Sequence, residues 1–153
     1  MIKNQLITLL FVTFAALTSC NNDDKITETK LHEQVMDVHN EIMPKMAEIN
    51  RLKRQLISYN KTIPDDSVAL RVSVLETITS LSKSEDLMSD WMSNYKYPNQ
   101  EAKHEELVQY LKAQKDTITN VSNTVYMSLA VAQGFLKNMP DSIKGESPKT
   151  DKK

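Results

Sequence analysis

Apolar residues recur along most of this chain at intervals of three and four, the spacing of one face of an α-helix. Over residues 28–59 the stripe is Leu31, Val35, Val38, Ile42, Ile49, Leu52, Leu56 and Tyr59, heptad-like and interrupted at Lys45. Pro44 lies inside it. Proline lacks the amide hydrogen, so a kink is predicted there, and the stripe resumes in phase beyond it. Thr27 is the candidate N-cap. Over residues 65–96 the stripe is Leu70, Val74, Leu81, Met88 and Tyr95, widened by Ile78, Trp91 and Met92, with Asp65 and Asp66 as cap candidates. Ser82-Lys83-Ser84-Glu85 has the form of a capping box, yet the heptad phase survives across it and predicts an unbroken helix. Over residues 100–139 the stripe is His104, Leu107, Leu111, Gln114, Ile118, Val121, Val125, Leu129, Ala132, Leu136 and Met139, with Asn99 as cap and Pro140 as terminator.

Short links between long helices make consecutive helices antiparallel. The expected fold is therefore all-α, an up-down-up antiparallel three-helix bundle over residues 28–140. Residues 141–153 are polar, with no periodic apolar positions, and disorder is expected there. The chain has 153 residues and only 2 Gly, which suits one helical domain and argues against a turn-rich β fold.

The first nineteen residues follow another pattern. Lys3 precedes an apolar run, Leu6 to Ala16, too short to span a bilayer and of signal-peptide length. It ends in Leu17-Thr18-Ser19-Cys20, which resembles the lipobox read by the lipoprotein signal peptidase. The resemblance implies cleavage before Cys20, a diacylglyceryl thioether on its sulfur and an acyl group, palmitate for example, on the new amine. More than one chain gives stable anchoring. Residues 1–19 are then a signal peptide, and residues 20–27 a lipidated tether. No Asp follows Cys20 directly, and Asp23-Asp24 resembles the acidic export signal of Bacteroidota lipoproteins. The implied address is the outer membrane, on its periplasmic face or at the cell surface.

Charge narrows the partners. Lys and Arg number 19 and Asp and Glu 20; removing the signal removes Lys3 alone, so the mature chain stands at 18 − 20 = −2. Nothing here draws the protein toward nucleic acid. With one Cys there is no intrachain disulfide. The sequence carries no Gly-rich phosphate loop, paired-Cys metal motif or nucleophile elbow, and a non-enzymatic binding or structural module is expected.

One constellation suggests chemistry. His32, Met36, His39, Met43 and Met46 form a second stripe on the first helix. A turn centred near residue 62 sets Met88 level with Met36, and Met92 level with His32. A second turn near residue 97 or 98 brings His104 level with Trp91 or Met92. All three His thus gather with Met36, Met88 and Met92 at the tethered end of the bundle. Imidazole and thioether suit Cu(I). The Trp91 ring face could attract a bound cation. A His/Met pair across helices could alternatively hold non-covalent haem. The plainer reading is that Met fills core gaps, His edges face solvent, and Trp91 and Tyr95 are core residues.

The segments Met36-Asp37-Val38-His39-Asn40-Glu41-Ile42-Met43-Pro44-Lys45-Met46 and Asp90-Trp91-Met92, with the signal, resemble a group of small helical lipoproteins of Bacteroidota. Some of these carry the label "viral A-type inclusion protein", which reflects generic helical similarity. The group has no established active site, so the resemblance implies a helical lipoprotein and transfers no catalytic residue. A partner in the envelope, or self-association, is expected to show as apolar surface beyond what one bundle buries.

Overall fold

The computed structural model describes residues 20–97 and 101–139. The expected signal peptide, the Asn99 cap and the expected disordered tail lie outside the described residues. The described residues are all helical apart from their turns: α1 Cys20–Ile42, α2 Lys45–Asn60, α3 Val68–Asn94 and α4 His104–Lys137.

The stripes become the core. Val35, Ile42, Ile49, Leu52 and Leu56 from α1 and α2, Val74, Leu81 and Met88 from α3, and Leu111, Ile118 and Val125 from α4 are almost fully buried. These are long runs of one helical face, so burial rather than intrinsic propensity stabilises the helices. The expected kink lies at Met43-Pro44. Pro44 keeps helical dihedrals, φ −61° and ψ −24°. The Met43 amide still donates to His39 O at 3.0 Å, and the Met46 amide reaches Met43 O, one residue short of the α-helical partner, at 3.1 Å. Ile42 and Ile49 therefore stay buried on either side of the interruption.

α4 is the shared wall. Along α1 and α2 its cross-helix pairs ascend together: Glu28 with His104, Gln34 with Lys115, Glu41 with Tyr126 and Glu48 with Gln133. Along α3 they run oppositely: Ser84 with Ser128, Trp91 with Gln114 and Lys96 with Tyr110. Lys53 and Glu85 form an ion pair between α2 and α3. Ser84 is fully buried inside the unbroken α3; its hydroxyl meets that of Ser128 at 2.8 Å and lies 3.2 Å from Ser80 O.

Four sequence expectations are corrected. Residues 20–27, expected as a tether, are helical. Asp23 suits the first turn of α1, and Thr27 is no cap: its hydroxyl donates to Asp23 O at 3.0 Å within the helix. Asp65 and Asp66 do not cap α3, whose N-cap is Ser67 without a side-chain bond. Asp65 is drawn instead to Arg71 at 3.2 Å. That guanidinium also donates to Ile63 O at 2.8 Å and Asn60 O at 3.3 Å, serving carbonyls that the end of α2 leaves free. Leu70, assigned to the core stripe, is 38% exposed in the opening turn of α3.

Truncating a stripe residue should separate core from surface. Leu81→Ala is expected to cost about 2–5 kcal/mol, and Val72→Ala, on the exposed side, to stay within about 0.5 kcal/mol. Urea denaturation measures both; equal losses would contradict the assigned faces.

Candidate functional site

Two regions stand out from a plain bundle. The first is an aromatic and imidazole cluster where α1, α3 and α4 meet. His32 and His39 are seven residues apart on α1, and Trp91 and Tyr95 four apart on or just beyond α3, so each pair shares a face. The Trp91 and Tyr95 rings stack at 4.9 Å between centroids. His39 tilts against Trp91 at 5.5 Å. His32 Nδ1 lies 2.8 Å from the Tyr95 hydroxyl, and Tyr97 sets its ring edge against His32 at 5.2 Å. From α4, Tyr110 stacks on Tyr95 at 6.2 Å. The Tyr110 hydroxyl accepts the Lys96 amide at 2.8 Å and donates to Lys96 O at 2.7 Å, clipping down the chain after α3. Trp91 Nε1 donates to Gln114 Oε1 at 3.0 Å, which accounts for a glutamine on an apolar stripe. Burial, with smaller contributions from Tyr110 and Tyr97, pushes the Tyr95 phenol up to about 12.

His104 stands apart. Its Nδ1 is 2.8 Å from Glu28 Oε1 and its Nε2 3.4 Å from Asp24 Oδ1. An imidazole between two carboxylates has its doubly protonated form favoured. The Glu28 hydrogen bond is the main cause of its raised pKa; Asp24, Glu28 and Glu105 add charge, and partial desolvation opposes them. This contact joins the start of α1 to the start of α4.

The structure disperses much of the expected His/Met set. His32 and His39 adjoin the same Trp91–Tyr95 pair, but both nitrogens of His104 face carboxylates. Met88 is 1% exposed in the core, Met36 is half-buried and Met92 is exposed. Trp91 is 6% exposed and has His39 and Tyr95 against its ring. Among the described residues, no group of three or more His, Cys, Asp or Glu is placed to hold a metal ion. Sequence reasoning missed the Tyr95–His32 bond and the His104–Glu28–Asp24 contact, because it counted Tyr95 as core and residues 20–27 as tether.

The second region is the outer side of α3. Val68, Val72 and Leu75 follow at spacings of four and three, and Thr79 continues the row. They are 63%, 47% and 46% exposed for the three apolar residues. Val72, Leu75, Glu76, Thr79, Ser80 and Lys83 line a shallow, mainly apolar surface. The signal for it was present in the sequence: these residues lie outside the stripe containing Val74 and Leu81.

Comparison with known protein families, characterised proteins and solved structures finds no match.

The His104 contact makes a signed prediction. A pKa raised on folding contributes stability fully below the ordinary imidazole value of about 6.5, and loses it as pH rises through the folded value. The stability difference between wild type and His104→Gln should therefore be largest on the acid side of that range and shrink as pH rises. Urea midpoints across neutral pH measure it; a difference that grows with pH would contradict the contact.

Proposed function

We propose that this protein is a lipid-anchored helical module of the bacterial outer membrane that binds a protein partner through the outer stripe of α3, without enzymatic activity. The observation that carries the proposal is the exposure of Val68, Val72 and Leu75 on a helix whose opposite side is buried core. Single exposed apolar residues are ordinary. A row of them at helical spacing is the form that a partner helix or groove recognises.

Position supports the reading. The bundle is read as up-down-up, supported by the ascending pairs of α1 and α2 with α4 and the opposed pairs of α3 with α4. Val68 follows directly on the turn after α2, so the stripe lies at the end remote from Cys20. At the helical rise of 1.5 Å per residue, Cys20 to Asn60 amounts to at most roughly 60 Å. The stripe would then stand well clear of the bilayer. Leu17-Thr18-Ser19-Cys20 supports the lipid anchor, and Asp23-Asp24 supports the outer membrane. The resemblance to small helical lipoproteins of Bacteroidota supports the same address. None of the described helices is long and apolar enough to cross a membrane.

Copper binding is a second, narrower proposal. It is favoured by the placement of His32 and His39 against one Trp91–Tyr95 pair. Its ligands would be His32, Met36, His39 and Met92, since His104 and Met88 are otherwise engaged. Competition for Cu(I) against a chromophoric chelator tests it. Stoichiometric competition lost in His39→Ala supports the site, and no competition removes it.

A photo-crosslinking residue placed in living cells at Val72 should give a discrete adduct to another polypeptide. The same residue at Gln109, exposed on α4, should not. Equal labelling at both positions, or none, would overturn the binding face. Cys20→Ala should release the protein from the membrane fraction; retention there would overturn the anchor.

A further inference from the structure

The Tyr95–His32 pair has a property that partner binding does not require. We propose that Tyr95 is a site of reversible one-electron oxidation, with His32 accepting the phenolic proton and Trp91 passing the electron outward. In the forward step Tyr95 gives one electron to a one-electron oxidant, an organic peroxyl radical for example. The phenolic O–H bond breaks as its proton moves to His32 Nδ1. The products are a neutral phenoxyl radical, an imidazolium and the reduced oxidant, here a peroxide anion. A one-electron donor reverses the step, and the proton returns from His32.

The geometry meets each requirement. An oxidised phenol is a strong acid, so oxidation is favourable only when a base takes the proton as the electron leaves. His32 Nδ1, 2.8 Å away, is within direct proton-transfer distance, and it accepts when its own proton sits on Nε2. Prior ionisation offers no alternative route at neutral pH, because burial keeps the Tyr95 phenol protonated up to about 12. The indole of Trp91, stacked at 4.9 Å, adjoins Tyr95. Its N–H is bonded to the neutral amide oxygen of Gln114, a poor base. A hole on Trp91 therefore has no proton acceptor of its own and moves on to Tyr95.

The other tyrosines lack one part or another, and Tyr59 packs against Phe135 rather than in the cluster. The Tyr110 hydroxyl is committed to the Lys96 carbonyl, which is no base. Tyr97 touches His32 through its ring, edge to face. Tyr126 donates to Glu41 at 2.6 Å, a carboxylate base, but has no ring contact within the aromatic cluster.

Laser flash oxidation of the full chain by a photogenerated ruthenium(III) polypyridyl complex tests the proposal. The chain holds one Trp, so an indole radical signal reports Trp91 alone. The indole signal should decay as a phenoxyl signal grows. In His32→Leu that growth should slow by about a hundredfold or more, the scale of a lost general base, and added imidazole should restore part of it. Tyr95→Phe, which keeps the ring and its packing, should leave the indole radical long-lived. Tyr126→Phe should change nothing. Unchanged phenoxyl growth in His32→Leu, or a phenoxyl signal that survives Tyr95→Phe, would overturn the proposal. Neither result bears on the α3 binding face, which has its own crosslinking test.

Discussion

The fold depends on α4 having two packing sides. One faces α1 and α2, the other faces α3, and the buried row of Leu111, Ile118, Val121, Val125, Leu129 and Ala132 lies between them. A helix that serves two neighbours needs a broad apolar face, and α4 meets that need with small residues where it approaches α3. Ser84 and Ser128 bring the two backbones together and satisfy each other's hydroxyls. Each hydroxyl also has a carbonyl of its own helix within reach, so the cross-helix bond adds about 0.5–1.5 kcal/mol in favour of this register of α3 on α4. Register then decides which side chains meet at the ends: Trp91 reaches Gln114, and the Tyr110 hydroxyl closes on Lys96.

Most of the helical core was legible because it rests on periodicity. Val35, Ile42, Ile49, Val74, Leu81, Ile118 and Val125 could be assigned from spacing alone, and all are fully buried. The ends of helices were less legible because local and tertiary partners compete there. Asp65 has the chemistry of a cap, but α3 opens with Ser67 at the N-cap position, and the exposed Asp65 carboxylate meets Arg71 instead. Leu70 keeps the phase of the core stripe and is left exposed because it stands in the opening turn of its helix. The start of α1 meets His104 through Asp24 and Glu28, more than seventy residues away, a contact that local sequence does not display.

The aromatic cluster was half legible. Hairpin counting set His32 of α1 opposite the end of α3 that carries Trp91 and Met92, but the counted level was off. His32 meets Tyr95 rather than Met92, three residues further along, because the turn from Lys61 to Ser67 is longer than expected and tucks Ile63 into the core. That offset gives His32 Nδ1 a phenol as its hydrogen-bond partner. The α3 surface was legible only as a remainder: apolar residues at helical spacing that the core stripe did not use.

The central functional claim is that this remainder is covered in the cell. Hydrogen exchange of the full chain, compared between native envelope and purified protein, tests it most directly. The account predicts added backbone protection over residues 68–79 in the envelope, with α4 little changed. Equal exchange over residues 68–79 in both states would contradict it.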